Sequence, residues 1–192
     1  MPTTHTDPAT EAGSRETYWQ RAAPYADFLD GAEEFVELWT RNYKRAAIPE
    51  EVVARAEAVP GEWKLLVITE DWCIDAVATI PTVAALAEAA SNVSLRVLSR
   101  DENLDLMDEH LTNGTSRSIP VVIVLDGEGR ERGWWGPRPA DLQAWFYGPG
   151  QELEKEARYR ELRKWYARDR GLTTVEEVLV LIEQAGGGGL VG

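Results

Sequence analysis

The sequence contains one cysteine, Cys73, within the stretch LLVITEDWCIDAVATIP (Leu65–Pro81). A deprotonated thiol can attack a disulfide, although a lone cysteine is more often a small buried hydrophobic residue. Cys73 follows a short apolar run, Lys64–Thr69, and precedes a segment rich in Ala, Val, Ile and Leu. This pattern predicts that a buried strand ends just before Cys73 and that a helix begins there. The N–H groups and positive dipole end of that helix would stabilise a thiolate.

Carboxylates near the thiol oppose this effect. Glu70, Asp71 and Asp75 lie within three residues of Cys73, and nearby negative charges disfavour a thiolate. The sequence therefore does not give the sign of the pKa shift, and Asp71 and Asp75 are candidate modulators of it. Asp75 could be a catalytic acid, but a carboxylate in the first turn of a helix is also favoured by the helix dipole. We favour this second interpretation.

The segments around Cys73 follow an α/β order. A βαβ unit, a hairpin and a covering helix imply a small α/β sandwich with a mixed sheet. The predicted elements are, in chain order, helices at Tyr25–Arg45 and 49–59, a strand at Lys64–Thr69, a helix at Cys73–Ala90, a strand at Val93–Ser99, a helix at Leu104–Gly114, a hairpin with its turn at Asp126–Gly129, and helices at 139–146, Glu152–Arg170 and Thr173–Gly186.

Two motifs in this order resemble the thioredoxin family. The first is a strand followed by DWC and a helix with a proline, Pro81, eight residues after the cysteine. The second is SIPVVIVLD (Ser118–Asp126), whose Ile-Pro step is similar to the step that opens the third core strand of the family. Its proline, Pro120, follows Cys73 by 47 residues. The resemblance covers roughly Pro60 to Tyr147. It implies an α/β thioredoxin-like sandwich with a central mixed β-sheet, plus extra N-terminal and C-terminal helices.

The same resemblance implies a binding site around the thiol. Pro120 would be cis, which folded proteins mainly keep for a reason. The backbone of Ile119 would then be free to pair with an extended substrate beside Cys73. Trp72 would flank the thiol and cover it from one side. Arg117 could face the thiol and offset the acids, but we favour its interpretation as an ordinary solvated arginine.

The sequence departs from the family at two positions. Ala76 occupies the position of the second cysteine of the Cys-x-x-Cys motif, so one chain cannot complete the dithiol cycle. Val67 occupies the position of the buried acid that assists the second thiol. The absence of the acid is consistent with the absence of the second thiol that it would assist.

Two hypotheses for the function remain open. In the first, the protein is a monothiol thiol–disulfide exchange protein: Cys73 forms a mixed disulfide with a protein or low-molecular-weight substrate, and an external thiol resolves it. This hypothesis predicts a Cys73 pKa below about 8.5, the value of a free thiol. In the alternative, the protein is a redox-inactive binding module that uses the groove beside Pro120. The sequence does not decide whether the protein is an enzyme.

A metal or iron–sulfur role is set aside, and no cofactor is expected. Single-cysteine glutaredoxins carry small residues after the cysteine, whereas Ile74 and Asp75 follow it here. His5 and His110 have no partner at a spacing typical of a metal site.

Composition restricts the partners. The net charge of −13 argues against nucleic acid and against anionic membrane surfaces as partners. The N-terminal sequence has no apolar core like that of a secretory signal, and no run approaches the length of a membrane span. We therefore expect a cytoplasmic protein. One cysteine excludes an internal disulfide, and the oligomeric state is not given by the sequence.

The chain is expected to form one domain. Residues 1–16 are predicted to be a flexible arm and 186–192 a flexible Gly-rich tail. Between them, 17–185 would form a single thioredoxin-like domain with its core at about 60–147 and helical additions at 17–59 and 150–185.

Two features lie outside the predicted core. Trp134 and Trp135 are adjacent on a strand, so one should enter the core and the other face a covering helix or a binding surface. The charged helix Glu152–Arg170 carries an apolar stripe that must pack on the core or on another subunit; the stripe consists of Tyr159, Leu162, Trp165 and Tyr166.

Overall fold

A mixed β-sheet forms the centre of the molecule. The structure is a computed structural model that describes residues 4–5 and 14–187; most of the predicted arm and tail, residues 1–3, 6–13 and 188–192, lies outside the described residues. The strand order is β1-β6-β5-β3-β4-β2. The strands are β1 (Thr4–His5), β2 (Ala23–Pro24), β3 (Trp63–Thr69), β4 (Val93–Ser99), β5 (Val121–Asp126) and β6 (Glu131–Trp135).

The central strand β3 pairs in parallel with β4 and antiparallel with β5. Its residues Leu65, Leu66, Val67 and Ile68 have no exposed surface, as expected for a continuous apolar strand covered on both faces. The observed α/β architecture with a central mixed sheet confirms the predicted fold class.

Helices surround this sheet. Helix α5 follows β3, and α9 packs on α5 and on β5 and β6. The helices are α1 (Glu16–Arg21), α2 (Tyr25–Asp30), α3 (Val36–Arg45), α4 (Glu50–Ala58), α5 (Ile74–Ala89), α6 (Leu104–Asp108), α7 (Ala140–Tyr147), α8 (Lys155–Asp169) and α9 (Leu172–Gly187). No helix among the described residues is both long enough and apolar enough to span a membrane.

Two predicted helices are shorter in the structure. The expected helix Tyr25–Arg45 is interrupted between α2 and α3, where the carboxylate of Asp71 accepts hydrogen bonds from the backbone N–H groups of Glu33 and Glu34. These bonds replace the helical ones. The expected helix at Leu104–Gly114 ends at Asp108, and the chain then turns through Asn113 and Gly114, which both have positive φ.

Helix α5 continues through Pro81, which has no N–H to donate to the carbonyl of Val77. The side-chain amide of Asn42 in α3 donates to this carbonyl instead, at 2.7 Å. The bond satisfies a backbone acceptor that the proline leaves open, and it ties α3 to α5.

The apolar stripe of α8 packs on α7 within the same chain. Together, buried residues of the two helices form a second small hydrophobic cluster beside the main core: Leu142, Phe146, Leu162 and Tyr166. Of the paired tryptophans, Trp135 is fully buried and donates from its indole N–H to Glu177 at 2.6 Å. Trp134 is half-buried and lies edge-on to His110.

Candidate functional site

Cys73 is the N-cap residue of α5, at the end of the loop that follows β3. Its side chain is 7% exposed, and its Sγ donates to the backbone carbonyl of Ile119 at 3.4 Å. Ala76, at the position of a second cysteine, is fully buried. The thiol therefore lies at the helix start that the sequence predicts, but it is covered.

The pKa of the Cys73 thiol is raised to about 11. Burial is the main cause, and the negative charge of Asp75 adds to it; the backbone N–H groups of Ala76 and Asp75 and the charge of Arg138 act in the opposite direction. The helix start thus does favour the thiolate, but desolvation outweighs it. This direction is opposite to the lowered pKa that the redox hypothesis predicts from sequence.

Asp75 forms a buried ion pair with Arg138. Arg138 donates from Nε and Nη2 to the two carboxylate oxygens at 3.1 and 2.6 Å, and the hydroxyl of Tyr166 donates to Oδ1 at 2.6 Å. Arg138 also donates to the side-chain carbonyl of Gln143 at 3.1 Å and lies 4.1 Å from the ring centre of Phe146. Asp75 does lie in the first turn of α5, as the favoured interpretation predicts. Its side chain is in addition only 10% exposed and is paired with Arg138 and Tyr166, which the first-turn interpretation did not include.

This pair is the part of the site that the sequence did not reveal. Arg138 lies 63 residues and Tyr166 lies 91 residues from Asp75 along the chain. No local pattern links positions so far apart, and Tyr166 appeared in the sequence only as part of an apolar stripe. Burial together with the charge of Asp75 raises the pKa of Tyr166 well above its ordinary value, so its hydroxyl remains a donor.

The recorded contacts of Trp72 and Asp71 are with groups other than the sulfur. Trp72 is 46% exposed, and the guanidinium of Arg100 lies 5.1 Å from its ring centre. The carboxylate of Asp71 holds the loop between α2 and α3, and its backbone carbonyl accepts from the indole of Trp39 at 2.8 Å. Asp71 therefore anchors a loop, and it is not among the main causes of the pKa shift of Cys73.

Arg117 does not face the thiol. It forms a two-pronged ion pair with Asp108 at 2.6 and 2.8 Å, and both side chains are about half-exposed. Glu70 accepts hydrogen bonds from the hydroxyl of Ser99 and the backbone of Asp101. Arg117 therefore does not offset the acids beside Cys73, and its contacts agree with the favoured interpretation of a solvated surface arginine.

Ile119 and Pro120 form the wall opposite the thiol, and the peptide bond between them is cis, as the resemblance implied. Both residues are buried, and the carbonyl of Ile119 is already used by Cys73. Its N–H donates to no atom within the part of the chain that the structure describes. The N–H of Ile119 is therefore a backbone group of the expected groove that remains available to bind a substrate backbone.

The loop between β6 and α7 runs directly against Pro120. At Gly136, φ is +146°, and an added Cβ would lie 2.3 Å from the carbonyl oxygen of Pro120. Glycine is therefore required here. The close approach places Arg138, two residues later, beside the site.

Among the described residues, no group of three or more His, Cys, Asp or Glu side chains lies close enough together to hold a metal ion. His110 is buried and bonds the backbone of Leu106 and the carboxylate of Glu131 through its two ring nitrogens. It therefore belongs to the packing of the opposite end of β6.

A family model described as thioredoxin matches residues 22–165. No curated protein matches the chain. Two solved structures have the same fold. One is a protein of unknown function from Pseudomonas aeruginosa, with 21% identity and a TM-score of 0.73; the match covers 90% of this chain and 99% of that one. The other is an HIV epitope-scaffold, with 18% identity, a TM-score of 0.72 and the same coverage.

Proposed function

The chain belongs to the thioredoxin family, and from that premise we propose that it is a monothiol thiol–disulfide exchange protein in which Cys73 is the attacking group. One observation carries the proposal: the sulfur lies at the N-terminus of α5 and within 3.4 Å of the cis Ile119–Pro120 step. The backbone N–H groups of Asp75 and Ala76 favour the thiolate at this position.

The exchange proceeds in two balanced steps. The Cys73 thiol loses its proton to solvent, and the thiolate attacks one sulfur of the substrate disulfide. A new S–S bond forms to Cys73, and the other substrate sulfur leaves as a thiolate. An external thiolate then attacks the mixed disulfide and releases Cys73, because Ala76 cannot act as a resolving thiol. The N–H of Ile119 is available to a substrate backbone next to the sulfur.

The raised pKa sets the rate of this chemistry. With a pKa of about 11, the thiolate fraction at pH 7 is about one in ten thousand. We therefore expect slow exchange at neutral pH and a steep rise in rate with alkalinity. The low thiolate fraction is partly offset by the higher intrinsic nucleophilicity of a high-pKa thiolate.

The alternative is a redox-inactive binding module that uses the same groove. The 7% exposure of Cys73 and its raised pKa favour this function. In this case the N–H of Ile119 would pair with an extended peptide, and the thiol would only fill space. A partner of such a module would keep its affinity for the Cys73→Ala variant and lose affinity when the groove beside Pro120 is altered.

Glutathione disulfide distinguishes the two functions. The folded protein is incubated with it at pH 7 and at pH 9.5, and intact mass gives the fraction carrying one glutathionyl group. Exchange predicts a folded-state adduct that forms at least about tenfold faster at pH 9.5 and that excess thiol removes. Cys73→Ala is the control for site, and urea-unfolded protein is the control for intrinsic thiol reactivity. A thiol that reacts only after unfolding would contradict the proposal and support the binding module.

A further inference from the structure

A cleft lies between α3, α5 and α8, on the side of α5 that carries Ile74. Its volume is about 610 Å³, which is in the range of small-molecule sites. We call it the arginine cleft because four arginines line it: Arg41, Arg45, Arg163 and Arg170. No Asp or Glu is among its lining residues, although the chain carries 33 acidic residues against 20 basic ones.

The four guanidinium groups are exposed and carry no partner. Within the part of the chain that the structure describes, none of them donates a hydrogen bond or forms an ion pair. Other arginines of the molecule are paired, such as Arg55 with Glu183 and Arg130 with Asp126. Four unpaired positive charges around one concave site favour an anionic ligand.

The floor of the arginine cleft is aliphatic. Leu38 of α3 and Ile74, Val77 and Ala78 of α5 form it. The buried polar groups of the cleft already have partners in the chain: Asn42 donates to Val77, and the Thr82 hydroxyl donates to the carbonyl of Arg170 at 2.9 Å. The Tyr166 hydroxyl donates to Asp75. The four aliphatic residues of the floor carry no hydrogen-bonding side chain, so the favourable contact of this part of the cleft is with an apolar chain.

We propose that the arginine cleft binds a small organic anion with an aliphatic chain, namely a carboxylate or a phosphate monoester whose head group lies among the arginines. The chain would cover Ile74 and Ala78, and the head would accept hydrogen bonds from Arg41 and Arg163 at the rim. This site is separate from the sulfur of Cys73 and does not depend on its reactivity.

Calorimetric titration with four probes of equal chain length tests the ligand class. The probes are decanoate, decyl phosphate, decanol and decyltrimethylammonium, with inorganic phosphate as a probe for the head alone. We expect at least one of the two anions to bind at least about tenfold more tightly than the alcohol, the cation and inorganic phosphate. The affinity for that anion should fall as salt is added. The stronger of the two anions identifies the head group. Equal binding of the cation, or no binding of either anion, would overturn the proposal.

Two pairs of variants test the position of the site. Arg41→Gln combined with Arg163→Gln should weaken binding of the anion by at least about tenfold. The matched control is Arg160→Gln combined with Arg168→Gln, which removes two exposed arginines of α8 outside the cleft and should change affinity less than about twofold. An equal loss in the control pair would show general electrostatic attraction and overturn the proposal.

Two further variants distinguish anion binding at this site from the proposed thiol chemistry and from an effect of unfolding. Ala78→Phe fills the floor and should abolish binding of the chain-bearing anions while circular dichroism shows a folded protein. Cys73→Ala should bind them unchanged. Unaltered binding by a folded Ala78→Phe protein would contradict the aliphatic floor, whereas the glutathione result has no bearing on this outcome.

Discussion

Cys73 and Asp75 lie two residues apart at the start of α5, and Asp75 forms the buried ion pair with Arg138. Breaking a buried pair by removing one partner costs about 3–5 kcal/mol, because a charge remains buried without compensation. The bidentate geometry and the bond from Tyr166 satisfy the carboxylate. The pair therefore fixes the positions of α5, α7 and α8 relative to the thiol, and its two charges act on the thiol with opposite signs.

The variants Asp75→Asn and Arg138→Gln should shift the pKa of Cys73 in opposite directions. The charge of Asp75 raises this pKa and the charge of Arg138 lowers it. Asp75→Asn removes the first charge and leaves the second, so the pKa should fall by about 1 unit or more. Arg138→Gln leaves the carboxylate alone, so the pKa should rise. The rate of iodoacetamide alkylation measured against pH gives both values.

The control for this comparison is Asp101→Asn, which removes an exposed carboxylate paired with Arg100 and should leave the pKa unchanged. Both test variants break the same pair and should destabilise the fold by a similar amount. General loosening would therefore move both pKa values downward, toward that of a free thiol. A fall in both variants would contradict the electrostatic explanation.

Helix α5 begins at the thiol, and the carbonyl of Val77 is a backbone position of this helix that lacks its usual intrahelical donor. Pro81 removes the N–H that would normally bond this carbonyl, and Asn42 supplies the donor from α3. A buried acceptor without a partner costs about 1–3 kcal/mol. One hydrogen bond between α3 and α5 therefore depends on a proline in one helix and an amide in the other.

A double-mutant cycle at Asn42 and Pro81 should show strong coupling. Asn42→Ala alone should lower the free energy of unfolding by about 1–3 kcal/mol. With Pro81→Ala present, the backbone N–H of residue 81 can bond Val77, so removal of Asn42 should cost less by about 1 kcal/mol or more. Urea unfolding of the four proteins measures the coupling, and additive effects would contradict the assigned role of Asn42.

The sequence predicted elements whose signals are local. Strand β3, the helix start at Cys73 and the Ile119–Pro120 step follow from apolar runs and from two motifs, and the structure contains all of them. The break between α2 and α3 was missed because it depends on Asp71, which is distant in sequence from Glu33 and Glu34. The pair of Asp75 with Arg138 was missed for the same reason. Burial, and with it the pKa of Cys73, follows only from packing of the complete chain.

At the scale of the whole molecule, two hydrophobic clusters meet beside the thiol. The main cluster includes Cys73 itself, and the second joins α7 to α8. Helix α8 bridges them, because Tyr166 belongs to the second cluster and bonds Asp75 in α5. Because folding buries the thiol, ionisation of Cys73 is linked to the stability of the whole chain.

Stability should therefore fall as pH rises from about 9 to about 11. The thiol ionises near pH 9 in the unfolded chain and near pH 11 in the folded one, so the unfolded state binds fewer protons across this interval. The contribution of Cys73 is fully present below pH 9, and its loss amounts to about 2–3 kcal/mol. Urea unfolding at several pH values measures it.

Cys73→Ala isolates this contribution from that of buried tyrosines, which also ionise at alkaline pH. The variant should lose less stability than the wild type over the same interval. Parallel stability curves for the two proteins would show that the thiol is not desolvated in solution.

The two shortest strands have a consequence for solubility. Strands β1 and β2 contain two residues each and occupy the two opposite edges of the sheet, with Pro24 in β2. Both come from the first 24 residues, so one N-terminal stretch of chain covers both open edges. Short edge strands and an edge proline discourage strand-to-strand association between molecules. A truncation that removes this stretch would leave the longer strands β4 and β6 as the new edges, and we expect such a protein to aggregate.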